Sequence, residues 1–112
     1  MTNIDFYYDK SHRRLRLTVC GHAGFAPIGQ DIICSAVSIL VQTLAEYVKN
    51  IYIRGALQKK PVIILEHGYA SVCCIPKKRA QAELRRCFEI IQTGFRLLAQ
   101  TYPQYILLNA EL

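Results

Sequence analysis

The spacing of apolar positions along this chain switches between a period of two and a period of three to four, and each switch marks an element. Ile4, Phe6 and Tyr8 alternate with Asp5, Tyr7 and Asp9, the pattern of a half-buried strand over residues 3–9. Leu15, Leu17 and Val19 then alternate with Arg14, Arg16, Thr18 and Cys20, and the polar stretch Asp9-Lys10-Ser11-His12 suits a turn. The first twenty residues therefore read as a β-hairpin. Residues 21–30, GHAGFAPIGQ, hold three glycines and a proline, a density that predicts an irregular loop. Beyond it Ile33, Val37, Leu40, Leu44, Val48 and Ile51 recur at helical spacing, which predicts a helix with Asp31 as N-cap running to about Arg54.

The second half repeats the plan. Residues 62–65 and 69–75 flank Glu66-His67-Gly68 and predict a second hairpin with a short turn. After Pro76 and Lys77-Lys78-Arg79, a second helix carries Leu84, Phe88, Ile91, Phe95 and Leu98 on one face. Arg85, Glu89, Gln92, Arg96 and Gln100 lie away from it, and Pro103 ends it. The tail at 104–108 fits a short edge strand or a capping loop. Two hairpins, each followed by a helix, predict one α+β domain over residues 1–112: a two-layer β-β-α-β-β-α sandwich, both helices on one face of a single sheet. The first turns of the first helix are apolar nearly all round (Ile32, Ile33, Ala36, Val37, Ile39, Leu40, Val41), more than one sheet face covers. That helix is expected at the centre of the fold or at a homodimer interface.

Composition narrows the setting. A chain of 112 residues, 52% apolar and 20% charged, can enclose one core and is not disordered. Its five cysteines are odd in number and form no CxxC, and residues 1–6 lack the basic-then-apolar run of an export signal, so reduced thiols in a cytoplasm are expected. The longest uncharged apolar-rich stretch, 32–45, falls short of the roughly 18 residues a membrane span needs, and no membrane partner is expected. A formal charge of +6 favours acidic partners without identifying one.

The chemistry concentrates between the first hairpin and the first helix, where a base, His22, and a thiol, Cys34, flank the glycine-rich loop. With Asp31 as N-cap, Cys34 falls at the third helical position, where unpaired N–H groups and the helix dipole favour an anion. The dipole contributes only about 0.3–1 kcal/mol, too little alone to ionise a thiol at neutral pH, and His22 could supply the remainder by accepting the proton or pairing with the thiolate if the loop folds back to bring it within reach. The same helix start could offer N–H groups to an oxyanion. Asp31 stands between two roles, N-cap and orienter of the histidine. Taken alone, a cysteine on an apolar helix is more often a small buried hydrophobe than a nucleophile.

Its company changes that reading. The string GHAGFAPIGQDIICSAVSILVQT resembles the signature of the ribosomal-processing cysteine proteases, the Prp family, in which a GHAG turn precedes a G-x-D-I-V-C-A-A-V-S stretch. Gly21, His22, Ala23, Gly24, Gly29, Asp31, Ile32, Cys34, Ala36, Val37 and Ser38 match, and the Tyr102-Pro103-Gln104-Tyr105 ending resembles the family's tail. Ile33 and Ser35 depart from the pattern without altering a titratable group. The resemblance implies a catalytic dyad of His22 as general base and Cys34 as nucleophile, with no cofactor. It implies a homodimer, and a peptide substrate: the precursor of large-subunit ribosomal protein number twenty-seven, whose short N-terminal extension is removed. Closure of a loop containing Gly21, Gly24 and Gly29 on substrate is expected from its backbone freedom.

The remaining candidates carry weaker expectations. Ser38, four residues after Cys34, either joins the site or bonds back to the Cys34 carbonyl. Cys20, His22 and Cys34 lack the spacing of a zinc knuckle, so no metal is expected. Cys73, Cys74 and Cys87 read as core filler, and His12 and His67, as turn histidines, receive no role. The basic groups around Arg13-Arg14-Arg16, Lys59-Lys60, Lys77-Lys78-Arg79 and Arg85-Arg86 support a rival reading, a small RNA-binding or ribosome-assembly factor. No RNA-reading motif accompanies them, and direct nucleic-acid binding is not expected.

Overall fold

A computed structural model describes residues 1–27 and 31–112. In chain order it comprises β1 (Thr2–Asp9), β2 (Arg14–Cys20), α1 (Ile32–Ile53), β3 (Val62–Glu66), β4 (Tyr69–Cys74), a short 3-10 turn (Lys78–Ala80), α2 (Gln81–Thr101) and β5 (Ile106–Ala110). Both hairpins form as the alternation predicts, with Phe6 opposite Leu17 and Ile63 opposite Val72. They join through an antiparallel pairing of β2 with β4, and the sheet order is β3-β4-β2-β1-β5. The tail is a strand rather than a capping loop. It begins two residues later than expected and runs parallel to β1, with Thr2 opposite Ile106.

Alternation decides which side of the sheet is covered. Ile4, Phe6, Leu15, Leu17, Val19, Val72 and Cys74 form a buried inner face, overlaid by Ile33, Val37, Val41, Leu44, Val48 and Ile51 of α1 and by Leu84, Phe88, Ile91 and Phe95 of α2. Each large side chain buried there contributes roughly 1.5–3 kcal/mol. Phe6 meets Phe95 edge-on at 5.9 Å, which holds α2 over β1. The α1 helix starts where Asp31 caps it and stops at Gly55, whose N–H donates to the Tyr52 carbonyl while Ala56 N–H donates to the Ile51 carbonyl, a Schellman turn.

Two expectations change. Gln92 is buried rather than solvent-facing, because its Oε1 accepts the Leu112 N–H at 2.7 Å. By length and composition α1 does reach the range of a bilayer span, with a mean hydropathy of 1.4 over its most apolar 18 residues. One stripe of it nonetheless packs on the sheet. Its apolar surplus faces outward, Ile32 being 59% and Ile39 62% exposed.

Candidate active site

Three elements meet where β2 ends, α1 begins and β3 turns into β4. Beyond Cys20 the chain turns sharply at Gly21 (φ +98°), whose N–H donates to the Gly68 carbonyl at 2.9 Å; a side-chain carbon at Gly21 would lie 2.4 Å from the Met1 carbonyl oxygen. Gly21 is thus pinned, Gly24 (φ +71°) has open space around it, and Gly29, the third expected gating glycine, lies outside the described residues. The next residue, His22, is exposed, and its ring lies against the β3–β4 turn.

Asp31 resolves between its two roles toward the cap. Its Oδ1 accepts the N–H groups of Ile33 and Cys34, both at 3.0 Å, and its Oδ2 those of Phe25 (3.1 Å) and Ala26 (3.4 Å). Burial alone would raise the carboxyl, but these donors, with Cys34 first among them, hold it below its ordinary range. One side chain therefore starts α1 and ties the first half of the loop to it. Phe25 adds edge-on contacts to Tyr105 (5.3 Å) and Tyr102 (6.1 Å), which gives the aromatic ending a place in the site's architecture. The cap also has a chemical consequence. Of the N–H groups at the helix start that could serve an oxyanion, those of Ile33 and Cys34 are occupied by Asp31 in this arrangement.

Cys34 sits in the first turn of α1, partly exposed, on the wall of a cleft of about 630 Å³. His22, Asp31, Ser38 and Gly24 line the same cleft, so the fold brings these sequence-predicted residues together. Cys34 is the one cysteine lining it; Cys74 is buried in the core, Cys73 lies on the other sheet face, and Cys20 is exposed. Exposed Ser38 faces the cleft, and the backward helical bond in this turn is made by Ser35, to the Asp31 carbonyl (3.2 Å).

The opposite wall is the β3–β4 hairpin, with Leu65, Glu66, His67, Gly68 and Tyr69. His67 is the residue the sequence reading missed. Its ring lies 4.5 Å from that of His22, tilted by 44°. Gly68 approaches so closely that a side-chain carbon there would sit 2.8 Å from His22 Nε2. Nothing local to the turn signals this contact, because it follows from β2 pairing with β4 across 48 residues of chain, Cys20 opposite Tyr69 at roughly strand-to-strand distance.

A cleft with an accessible thiol, an imidazole and a hairpin wall accommodates an extended polypeptide. The sequence profile of the cysteine protease Prp matches residues 1–107. The chain belongs to the Prp family of cysteine proteases. Its Prp fold is similar to an essential ribosomal processing protease Prp from S. aureus in complex with a covalently linked product peptide, at a TM-score of 0.73 and 19% identity, covering 99% of this chain and 100% of that chain. The same S. aureus protease in complex with a substrate peptide gives a TM-score of 0.69 and 14% identity, with coverage of 99% and 100%. SMU.848 from Streptococcus mutans gives 0.66 and 21%, covering 98% of this chain and 93% of that one. No curated protein matches the chain significantly. Membership of the Prp family makes the protein a cysteine protease and sets aside the reading of a non-catalytic assembly factor.

Proposed function

We propose that this Prp-family protease works in ribosomal processing, removing the short N-terminal extension of large-subunit ribosomal protein number twenty-seven, with Cys34 as nucleophile and His22 as general base. The observation that carries the assignment is that Cys34, alone among the cysteines, shares an accessible cleft with a histidine. His22 takes the thiol proton, the thiolate attacks the scissile carbonyl carbon, and the C–N bond breaks as His22 returns the proton to the leaving amine. Water, deprotonated by the same imidazole, then releases the acyl group from sulfur. Oxyanion donors come from amides other than those Asp31 holds, or from the Ile33 and Cys34 amides once closure of the loop around Gly24 draws the carboxylate aside.

The electrostatics support a ribosomal substrate. Among the described residues Glu66 is the cleft's one carboxylate not held by backbone donors and no Lys or Arg lines it, which suits a cationic segment of the kind ribosomal proteins carry. The S. aureus structures, described as a ribosomal processing protease with substrate and product peptides, support the same class of substrate. Outward-facing Ile32 and Ile39 fit a homodimer built on α1, and the five free thiols fit a cytoplasmic setting.

Alkylation by iodoacetamide, mapped by peptide mass spectrometry, tests the pair. Cys34 should react faster than Cys20 near neutral pH and slow by about tenfold or more in His22→Ala, in keeping with base-assisted nucleophiles. Cleavage of the extended precursor should vanish in Cys34→Ala. An alkylation rate indifferent to His22, or precursor cleavage that survives loss of the thiol, overturns the assignment.

A further inference from the structure

The strands set the cleft and most of the protein's positive charge at opposite ends of the sheet. From Arg14, β2 runs to Cys20 at the cleft, about 20 Å away at roughly 3.3 Å per residue. At the Arg14 end, the β1–β2 turn carries Lys10 and Arg13. Beside it, the segments before β3 and after β4 run antiparallel: Gln58 N–H donates to the Ile75 carbonyl (2.8 Å), Lys77 N–H to the Ala56 carbonyl (2.9 Å), and Leu57 bridges Pro76. Exposed Lys59 and Lys60 follow that pairing on one segment, and exposed Lys77 and Lys78 follow it on the other.

Among the described residues none of these cations ion-pairs with a carboxylate. The acids at this end are already engaged: Asp9 with His12 at 2.6 Å, and Glu83 with Arg54 at 3.1 Å and with Tyr47. The charge continues onto the sheet face that the helices leave uncovered. There the Arg16 guanidinium stands 4.9 Å over the ring of Tyr7, which is 45% exposed. Cys73, opposite Arg16 on β4, feels the convergence. Burial pushes its thiol up, and Arg14, Arg16 and Lys59 draw it back, so cations from two segments face one spot.

We propose that this end, with the adjoining uncovered sheet face, binds single-stranded RNA. Unneutralised Lys and Arg on separate segments give a flexible phosphate backbone several points of contact, and the Tyr7–Arg16 pair offers a flat surface on which a base can stack. An anionic bilayer or an acidic protein would use the charge and leave that pair idle. Binding here does not depend on the chemistry of Cys34 and His22, and it would hold the protease near RNA-associated precursors with its cleft pointing away.

Fluorescence anisotropy with a labelled, unstructured RNA of about 20 nucleotides tests the proposal, since cation–phosphate contacts make affinity fall with salt. Engagement of about five phosphates gives a slope of about −3.5 in log K against log salt, a loss of about a hundredfold between 50 and 200 mM. The quadruple variant Lys59→Gln, Lys60→Gln, Lys77→Gln, Lys78→Gln should bind more than about tenfold more weakly with a shallower slope, and Tyr7→Ala should weaken binding at unchanged slope. Arg96→Gln, on the far side of α2, and Cys34→Ala should bind like the parent, which separates failure of this proposal from failure of the catalytic assignment. No binding at 50 mM salt, full binding by the quadruple variant, or Tyr7→Ala binding like the parent while phosphatidylglycerol vesicles compete for the protein would each overturn it.

Discussion

Gly68 and Gly55 adopt nearly the same backbone, φ +78° and +74°, in different surroundings. Alanine strains both, at a cost of about 1–2 kcal/mol. At Gly55 the added carbon meets nothing within 4 Å, whereas at Gly68 it presses on His22 Nε2. Gly68→Ala should therefore displace the imidazole and lower kcat/KM by about ten- to a hundredfold, the scale of small misplacements in catalysis, while Gly55→Ala loses stability and keeps its activity. Equal activity of the two variants would show that the hairpin wall does not position His22. Asp31 permits a second residue-scale prediction. Burial opposes its ionisation, yet the four N–H donors hold its folded carboxyl below the ordinary 3.8. A depressed folded value means the carboxylate stabilises the fold above that ordinary value, and the contribution disappears as pH falls through the folded one. Asp31→Ala should thus lose about 1–2 kcal/mol at neutral pH, as lost caps do, and the gap from the parent in urea unfolding should narrow in acid. A gap independent of pH would mean that the cap acts without its charge.

At the scale of elements, what could be read from the chain is what local periodicity encodes. Both hairpins, the Asp31 cap and the covered faces of both helices follow from spacing alone, since Phe6, Leu17, Val37 and Phe88 are buried wherever the pattern places them. Of the candidate site, spacing placed only Cys34 relative to the Asp31 cap, and its assignment with His22 rested on the resemblance of residues 21–43 to the Prp signature. What escaped was set by contacts between distant segments. The pairing of β1 with β5 makes the 106–110 tail a strand, and the joining of the hairpins through β2 and β4 is what carries His67 to His22. Gln92 escaped because a polar residue reads as exposed until a backbone donor, here the Leu112 N–H, reaches it.

Over the whole molecule the separation of charge allows the two ends to work independently. About 20 Å of β2 lies between them, at least twice the roughly 8–10 Å over which salt screens charges under physiological conditions, so the cations beyond the Arg14 end contribute little to the field in the cleft. Within the cleft the carboxylate of Asp31 is already engaged by N–H donors, which leaves Glu66 as its one charge free to meet substrate directly. Cleavage of a short peptide spanning the extension should therefore change by no more than about twofold between 50 and 300 mM salt, because a single exposed pair is worth little. The same extension in a precursor already bound to RNA should be cleaved faster than the free peptide at low salt. That advantage should vanish as salt rises or when Lys59, Lys60, Lys77 and Lys78 are changed to Gln, because it comes from local concentration rather than from the chemistry. Steady-state kinetics on the two substrates decide the matter. If peptide and RNA-bound precursor share one salt dependence, in the parent and the quadruple variant alike, the cationic end has no part in presenting substrate to the cleft.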